Sequence, residues 1–229
     1  MKYLTYEISV KRIVFYLRIL YPVWMLLAII SFMVIPSTYL VVGDAIKTAN
    51  NIASNEYLFR AGILGGIITQ ILHILIPLFL FQIFKGVNKN LAMLMVALAI
   101  VSAPISMYNE LWKLSALSLL DSPIQMMQVF DLNNQSQIVS FIFWGLWLFP
   151  LGCLLNKSRF FPKTIVIILI AAGIGYVLGA FSKIILPNAA GINTIFEILT
   201  FGEVIFIFWF MIKGINIEKL KNTTIQHYL

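Results

Sequence analysis

The segment LFRAGILGGIITQILHILIPLFLFQIF, residues 58–84, decides the fold class. It is almost continuously apolar, and its only ionisable side chains are Arg60 and His73. As a helix rising about 1.5 Å per residue it reaches about 40 Å. The hydrocarbon of a bilayer is about 30 Å thick and is crossed by about 20 apolar residues. The run lacks the period-two alternation of a membrane barrel strand and is far longer than such strands, so it is a spanning helix.

Five more stretches of this kind lie on either side, at approximately 19–42, 90–117, 137–155, 163–186 and 194–213. The expected fold is therefore all-α, a polytopic membrane protein built as a bundle of six transmembrane helices. Residues 1–18 form a cytoplasmic or interfacial N-terminal segment, 19–214 the six-helix domain and 215–229 a cytoplasmic tail. Composition agrees. Of 229 residues, 61% are hydrophobic and 11% charged, with mean hydropathy +0.94; an ordinary soluble domain carries about 25% charged residues. These values exclude a soluble enzyme, a nucleic-acid binder and a disordered chain. The single cysteine, Cys153, cannot form an internal disulfide. Four basic residues precede the first span as they would a signal peptide, yet its apolar run exceeds a secretory core of about 7–15 residues and no small-residue cleavage site follows. The span is expected to be retained.

Basic residues set the orientation. Twelve of the sixteen fall in the N-terminal segment, the connections after the second and fourth spans, and the C-terminal end. Lys47, Arg60, Lys113 and Lys183 fall on the other side, and 121–136 has none. Both termini are expected in the cytoplasm, with the chain multi-pass in the inner (plasma) membrane. The net charge of +7 is then a topology signal that also favours anionic lipid headgroups, so membrane lipids are expected partners and nucleic acid is not.

The first two external connections carry helical periodicity. Apolar residues recur at 45, 46, 49, 52 and 53 behind Asp44, a fitting N-cap; in 121–132, Asp121 or Ser122 can cap, Pro123 suits the first helical position, and Ile124, Met127 and Phe130 follow. Both read as short amphipathic helices on the external side, or as simple loop closures. Gly62-x-x-x-Gly66 and Gly175-x-x-x-Gly179 are small-residue pairs that let helices approach closely; packing within the bundle is the default use, and a homo-oligomer contact the other.

Ionisable residues inside a span cost about 2.5–3.5 kcal/mol at its centre and persist when paired or when lining water. The outer half of the spans collects Arg60, Lys113 and Lys183 with Glu110, Glu197 and Glu203, and Asn109 adjoins Glu110. Glu110 and Lys113, three apart, share a helix face. Two readings fit. In one, Arg60, Asn109, Glu110, Lys113, Glu197 and Glu203 line an outward-facing polar cavity between the second, third, fifth and sixth helices, roofed by the two short helices. In the other, the charges snorkel into headgroups. Glu203, deepest and shortest, points to a buried partner. His73 lies near or beyond the midplane with Thr69, Gln70 and Gln82 on its helix; it fits a hydrogen-bonded packing residue or a ligand contact. No metal-ligand cluster, catalytic elbow, phosphate loop or dinucleotide fingerprint is present, so no catalytic residue, metal or cofactor is assigned and an enzyme is not the favoured class.

Several stretches, in order, carry a family resemblance. They are Gly43-Asp44 through Ala53; Glu56-Tyr57-Leu58-Phe59-Arg60-Ala61-Gly62; Phe143-Trp144-Gly145-Leu146-Trp147 to Gly152; Ser158-Arg159-Phe160-Phe161-Pro162; Ala172-Gly173-x-Gly175-Tyr176; and Gly202-Glu203 ahead of Trp209 and Lys213-Gly214. Over residues 12–214 the chain resembles a bacterial six-helix membrane family catalogued as domain of unknown function 4386. Trp147 departs from a position expected to be polar in relatives. The resemblance implies a polytopic plasma-membrane protein and assigns no substrate, reaction or cofactor. The leading functional reading is a non-enzymatic membrane protein that binds or moves a small or lipid-like molecule, Arg60 and Lys113 attracting it and Glu110, Glu197 and Glu203 balancing charge or carrying a proton. The runner-up is a structural or sensory subunit docking a partner through its helices, and an intramembrane enzyme resting on His73 is third.

Overall fold

A computed structural model describes residues 2–215, with side chains from Val10 onward. The tail from 216, with Lys219, Lys221 and His227, lies outside the described residues. Among those described there is no strand. The elements are α1 (Lys2–Ile29), a π-helical turn (Ile30–Val34), α2 (Ile35–Tyr39), α3 (Ala45–Ser54), α4 (Glu56–Phe84), α5 (Lys89–Leu117), α6 (Pro123–Leu146), α7 (Leu148–Ser158), α8 (Lys163–Ile185) and α9 (Ala190–Lys213). They supply six spans long and apolar enough to cross a membrane: Val10–Tyr39, Glu56–Phe84, Lys89–Leu117, Pro123–Ser158, Lys163–Ile185 and Ala190–Lys213. Large apolar side chains stand exposed in mid-span, such as Leu64 (58%), Ile167 (67%) and Phe201 (60%). Water would penalise such a surface, and lipid tails do not.

Prolines shape two of these spans. Pro36 has no N–H to return to the carbonyl four residues back, and just before it the helix widens, with the Ile35 N–H reaching Ile30 O. The Ser37 and Thr38 hydroxyls donate to Val34 O at 2.9 and 2.8 Å. Pro150 likewise cannot bond Leu146, and the helix breaks at Trp147, between α6 and α7. Pro104 stays inside α5 without a break.

Of the two short helices expected between spans, Ala45–Ser54 is separate, with Asp44 Oδ1 accepting the Lys47 N–H at 2.8 Å as N-cap. The other is not. Residues 123–132 run without interruption into the fourth span, which therefore begins about fourteen residues earlier than its apolar run. No glycine or proline lies between Pro123 and Gly145 to stop the helix, and in its polar stretch Asn133, Ser136 and Gln137 find partners on α5 while Asn134 and Gln135 stay exposed.

The chain forms two compact units. The larger takes the residues up to Pro22, Ile74–Ser102, and those from Phe141 on; the smaller takes Val23–His73 and Ala103–Ser140. In the larger, α8 lies against α9. A Cβ on Gly175 would meet Phe196 O and Leu199 Cβ at 2.7 Å, and one on Gly179 would meet Phe196 Cβ at 3.1 Å, so these glycines set how closely the helices approach. Tyr21, fully buried, packs its ring on Phe206 and Phe210. In the smaller unit, Ile35, Tyr39, Ile52, Phe59, Met126 and Phe130 form the apolar core, and α3 turns Ala49 and Ile52 into it.

Candidate functional site

The smaller unit holds a polar centre within its spans. Glu110 lies seven residues before the end of α5, about 10 Å along the helix. It is 1% exposed. Lys113 Nζ, one turn on, donates to Glu110 Oε1 at 2.8 Å and stands 5.3 Å from the centre of the Phe32 ring. Phe32 belongs to the π-helical turn, and such turns recur at functional sites. Glu110 Oε2 is buried and has no hydrogen-bond donor among the described residues; the buried Ser31 and Ser106 hydroxyls also lack partners. The carboxylate fits because Gly66 has no side chain: a Cβ there would stand 2.7 Å from Glu110 Cδ and 2.9 Å from Oε2. On Gly62 it would meet Ile35 Cγ2 at 2.8 Å. The pair Gly62-x-x-x-Gly66 thus seats the first span and an acid from the third.

Asn109 fastens α5 to α6. Its Nδ2 donates to Gln137 Oε1 at 2.9 Å and Ser140 Oγ at 3.1 Å, and its Oδ1 accepts from Ser136 Oγ at 2.6 Å. Asn133 Nδ2 donates to the Asn109 carbonyl at 2.7 Å. Every polar atom of this side chain is thereby engaged, which is the condition for a buried amide to stabilise a packing.

The other expected site residues have partners of their own. Arg60 is exposed and ion-pairs with Glu56 on its own helix, Nη2 to Oε1 at 2.6 Å. Its charge is met on its own helix, one turn away. His73 is 4% exposed and stacks on Trp24 at 5.9 Å, a packing environment. In the larger unit, Lys183 Nζ pairs with Glu197 Oε1 at 2.8 Å and stands 5.4 Å over the Phe141 ring, with both charged side chains partly exposed. Glu203, 8% exposed, accepts from the Tyr176 hydroxyl at 3.1 Å. The six charges are therefore distributed between two units, five of them in three ion pairs and Glu203 in a hydrogen bond from a tyrosine.

Several contributors escaped the sequence reading. Glu56 stands four residues before Arg60, a spacing that pairs charges on a helix and was readable. Tyr176 was visible inside the Gly175–Gly179 motif without its role. The Phe32 and Gly66 contacts join residues distant in sequence and carry no local signal.

The family described as Domain of unknown function (DUF4386) matches residues 19–214. An uncharacterized protein of Archaeoglobus fulgidus is 31% identical over 162 residues, covering 70% of this chain and 88% of the relative. No solved structure matches. The chain is a membrane protein of six apolar spans and belongs to the DUF4386 family.

Proposed function

We propose that this protein sits in the plasma membrane with both termini cytoplasmic and binds or moves a small or lipid-like molecule at the Glu110–Lys113 centre. One observation carries the reading: a buried ion pair at span depth whose acid keeps one oxygen without a donor. An ion pair taken out of water repays its desolvation only if its remaining lone pairs are satisfied. A site that leaves one unsatisfied is a poor structural device and a good recognition device, because a ligand donor completes it. Lys113 keeps further N–H donors for an acceptor on the same ligand. The Lys113 side chain is 13% exposed and the Glu110 side chain 1%, so the base is the accessible member.

The orientation rests on the distribution of basic residues: Lys85 and Lys89 flank the turn between α4 and α5, and Lys157, Arg159 and Lys163 that between α7 and α8. For a partner-docking subunit no specific observation speaks, since Gly175 and Gly179, the small-residue face it would present, are covered by α9. A thermal-shift screen of the full chain in maltoside micelles against phospholipids and small zwitterions tests the proposal. At least one class is expected to raise Tm in wild type and not in Lys113→Met. A flat response across all classes contradicts it.

A further inference from the structure

A cavity of the smaller unit, distinct from the Glu110–Lys113 centre, has the lining of a binding site. It is a cleft of about 560 Å³ between the connection before α3 and the first turns of α6. Small-molecule sites run from about 300 to 1,000 Å³ and combine apolar walls with a few convergent polar groups.

One wall is the connection through Val41, Gly43 and Asp44. It is held in place: Val41 N–H donates to Thr48 Oγ1 at 2.9 Å, Asn51 Nδ2 donates to Tyr39 O at 3.2 Å, and the Asp44 cap binds the Lys47 N–H. Gly43 takes φ +78, a left-handed conformation that favours glycine, and a Cβ there would meet open space. The opposite wall is a face of α6. Ile124, Met127, Gln128, Asp131 and Asn134 recur on it at helical spacing, Phe130 joins it from the edge of the apolar core, and Met126 turns wholly into that core. A bound molecule therefore meets walls already ordered, which lowers the entropy lost on binding.

The charge of the lining has one sign. Asp44 and Asp131 both line the cleft and no basic residue does. Neither forms an ion pair among the described residues; Lys47, the nearest base in sequence, meets Asp44 only through its backbone N–H. Both carboxylates are exposed at the rim of a cleft whose walls are mixed, Val41, Ile124, Met127 and Phe130 beside Gln128 and Asn134; such a lining complements a cation that carries an apolar body and disfavours an anion. We propose that this cleft binds an organic ammonium group attached to an apolar moiety. The source is a free amine or the ammonium end of a phospholipid headgroup.

The test uses the full chain in maltoside micelles, with benzyltrimethylammonium as probe and benzyl alcohol as its uncharged counterpart, followed by titration calorimetry. Asp44→Asn/Asp131→Asn removes both charges, and asparagine preserves the helix cap. Met127→Trp fills the cleft and leaves the charges. Wild type is expected to bind the ammonium probe at least about tenfold more tightly than either variant, and to bind the alcohol weakly whatever the variant. Equal ammonium affinity in wild type and the charge-free variant overturns the proposal, as does equal affinity for the two probes. Native mass spectrometry after extraction from phosphatidylcholine or phosphatidylglycerol nanodiscs separates the sources. Retained choline lipid that the charge-free variant loses assigns the headgroup, and calorimetric binding without lipid retention assigns the free amine. Absence of both overturns the proposal and leaves the Glu110–Lys113 reading standing, because no residue is shared between the two sites.

Discussion

At the scale of single residues, Glu110 and Lys113 are unequal partners, and the inequality is measurable. The acid is buried and the base reaches the surface of its unit. Lys113→Met leaves a buried carboxylate without its counter-ion, and breaking a buried pair in this way costs about 3–5 kcal/mol. Glu110→Gln leaves a partly exposed ammonium and an amide that still accepts a hydrogen bond, so it costs less. Chemical denaturation in mixed micelles is expected to show Lys113→Met as the less stable of the two; the reverse order contradicts the burial described. The pair itself was legible in the sequence, because acid and base three apart on a helix must face the same way. What closes around it was not. Gly66 and Phe32 come from other spans, and contacts across tens of residues leave no periodic trace. Arg60 was misleading for the converse reason. It stood out by depth, yet its partner is the neighbouring Glu56, and the two sit together near the start of α4.

At the scale of elements, the hydropathy of each span was enough to place its helix, and polarity misplaced one boundary. The stretch Asn133–Gln137 reads as the end of a surface helix. It is interior to α6 because Asn109 supplies it with partners. Polar residues in a span mark a loop only when nothing in the fold satisfies them, and one asparagine thirty residues away decides the outcome. Asn109→Leu removes the bonds of its side chain to Ser136, Gln137 and Ser140, keeps the main-chain carbonyl that Asn133 bonds, and leaves hydroxyl and amide groups unpaired, at about 1–3 kcal/mol each. Ser136→Ala removes one. Thermal melts are expected to rank wild type above Ser136→Ala and Ser136→Ala above Asn109→Leu. An Asn109→Leu protein as stable as wild type contradicts the role given to this contact. The break at Trp147 was half legible: Pro150 announced a disturbance, and its position four residues on from Leu146 fixes where the bond is lost.

At the scale of the whole molecule, composition alone identified the solvent, and the run lengths gave six crossings. The side proposed for each connection rests on the basic residues and is open to direct measurement. In a Cys153→Ser background, Asn50→Cys between the first two spans is expected to react with a membrane-impermeant maleimide in intact cells, and Asn88→Cys only after lysis; the opposite pattern inverts the topology. Function was legible only as far as a family without an assigned activity, because the polar centre is assembled from separate spans. The most direct test of that centre is native mass spectrometry of wild type beside Glu110→Gln/Lys113→Met, extracted from the same membranes. Replacing both members of a buried pair is often neutral or stabilising, so the double variant is expected to keep the wild-type Tm and to lose a copurifying small or lipid-like adduct. An identical set of bound species in both proteins, at equal Tm, would show the pair to be packing and contradict the account.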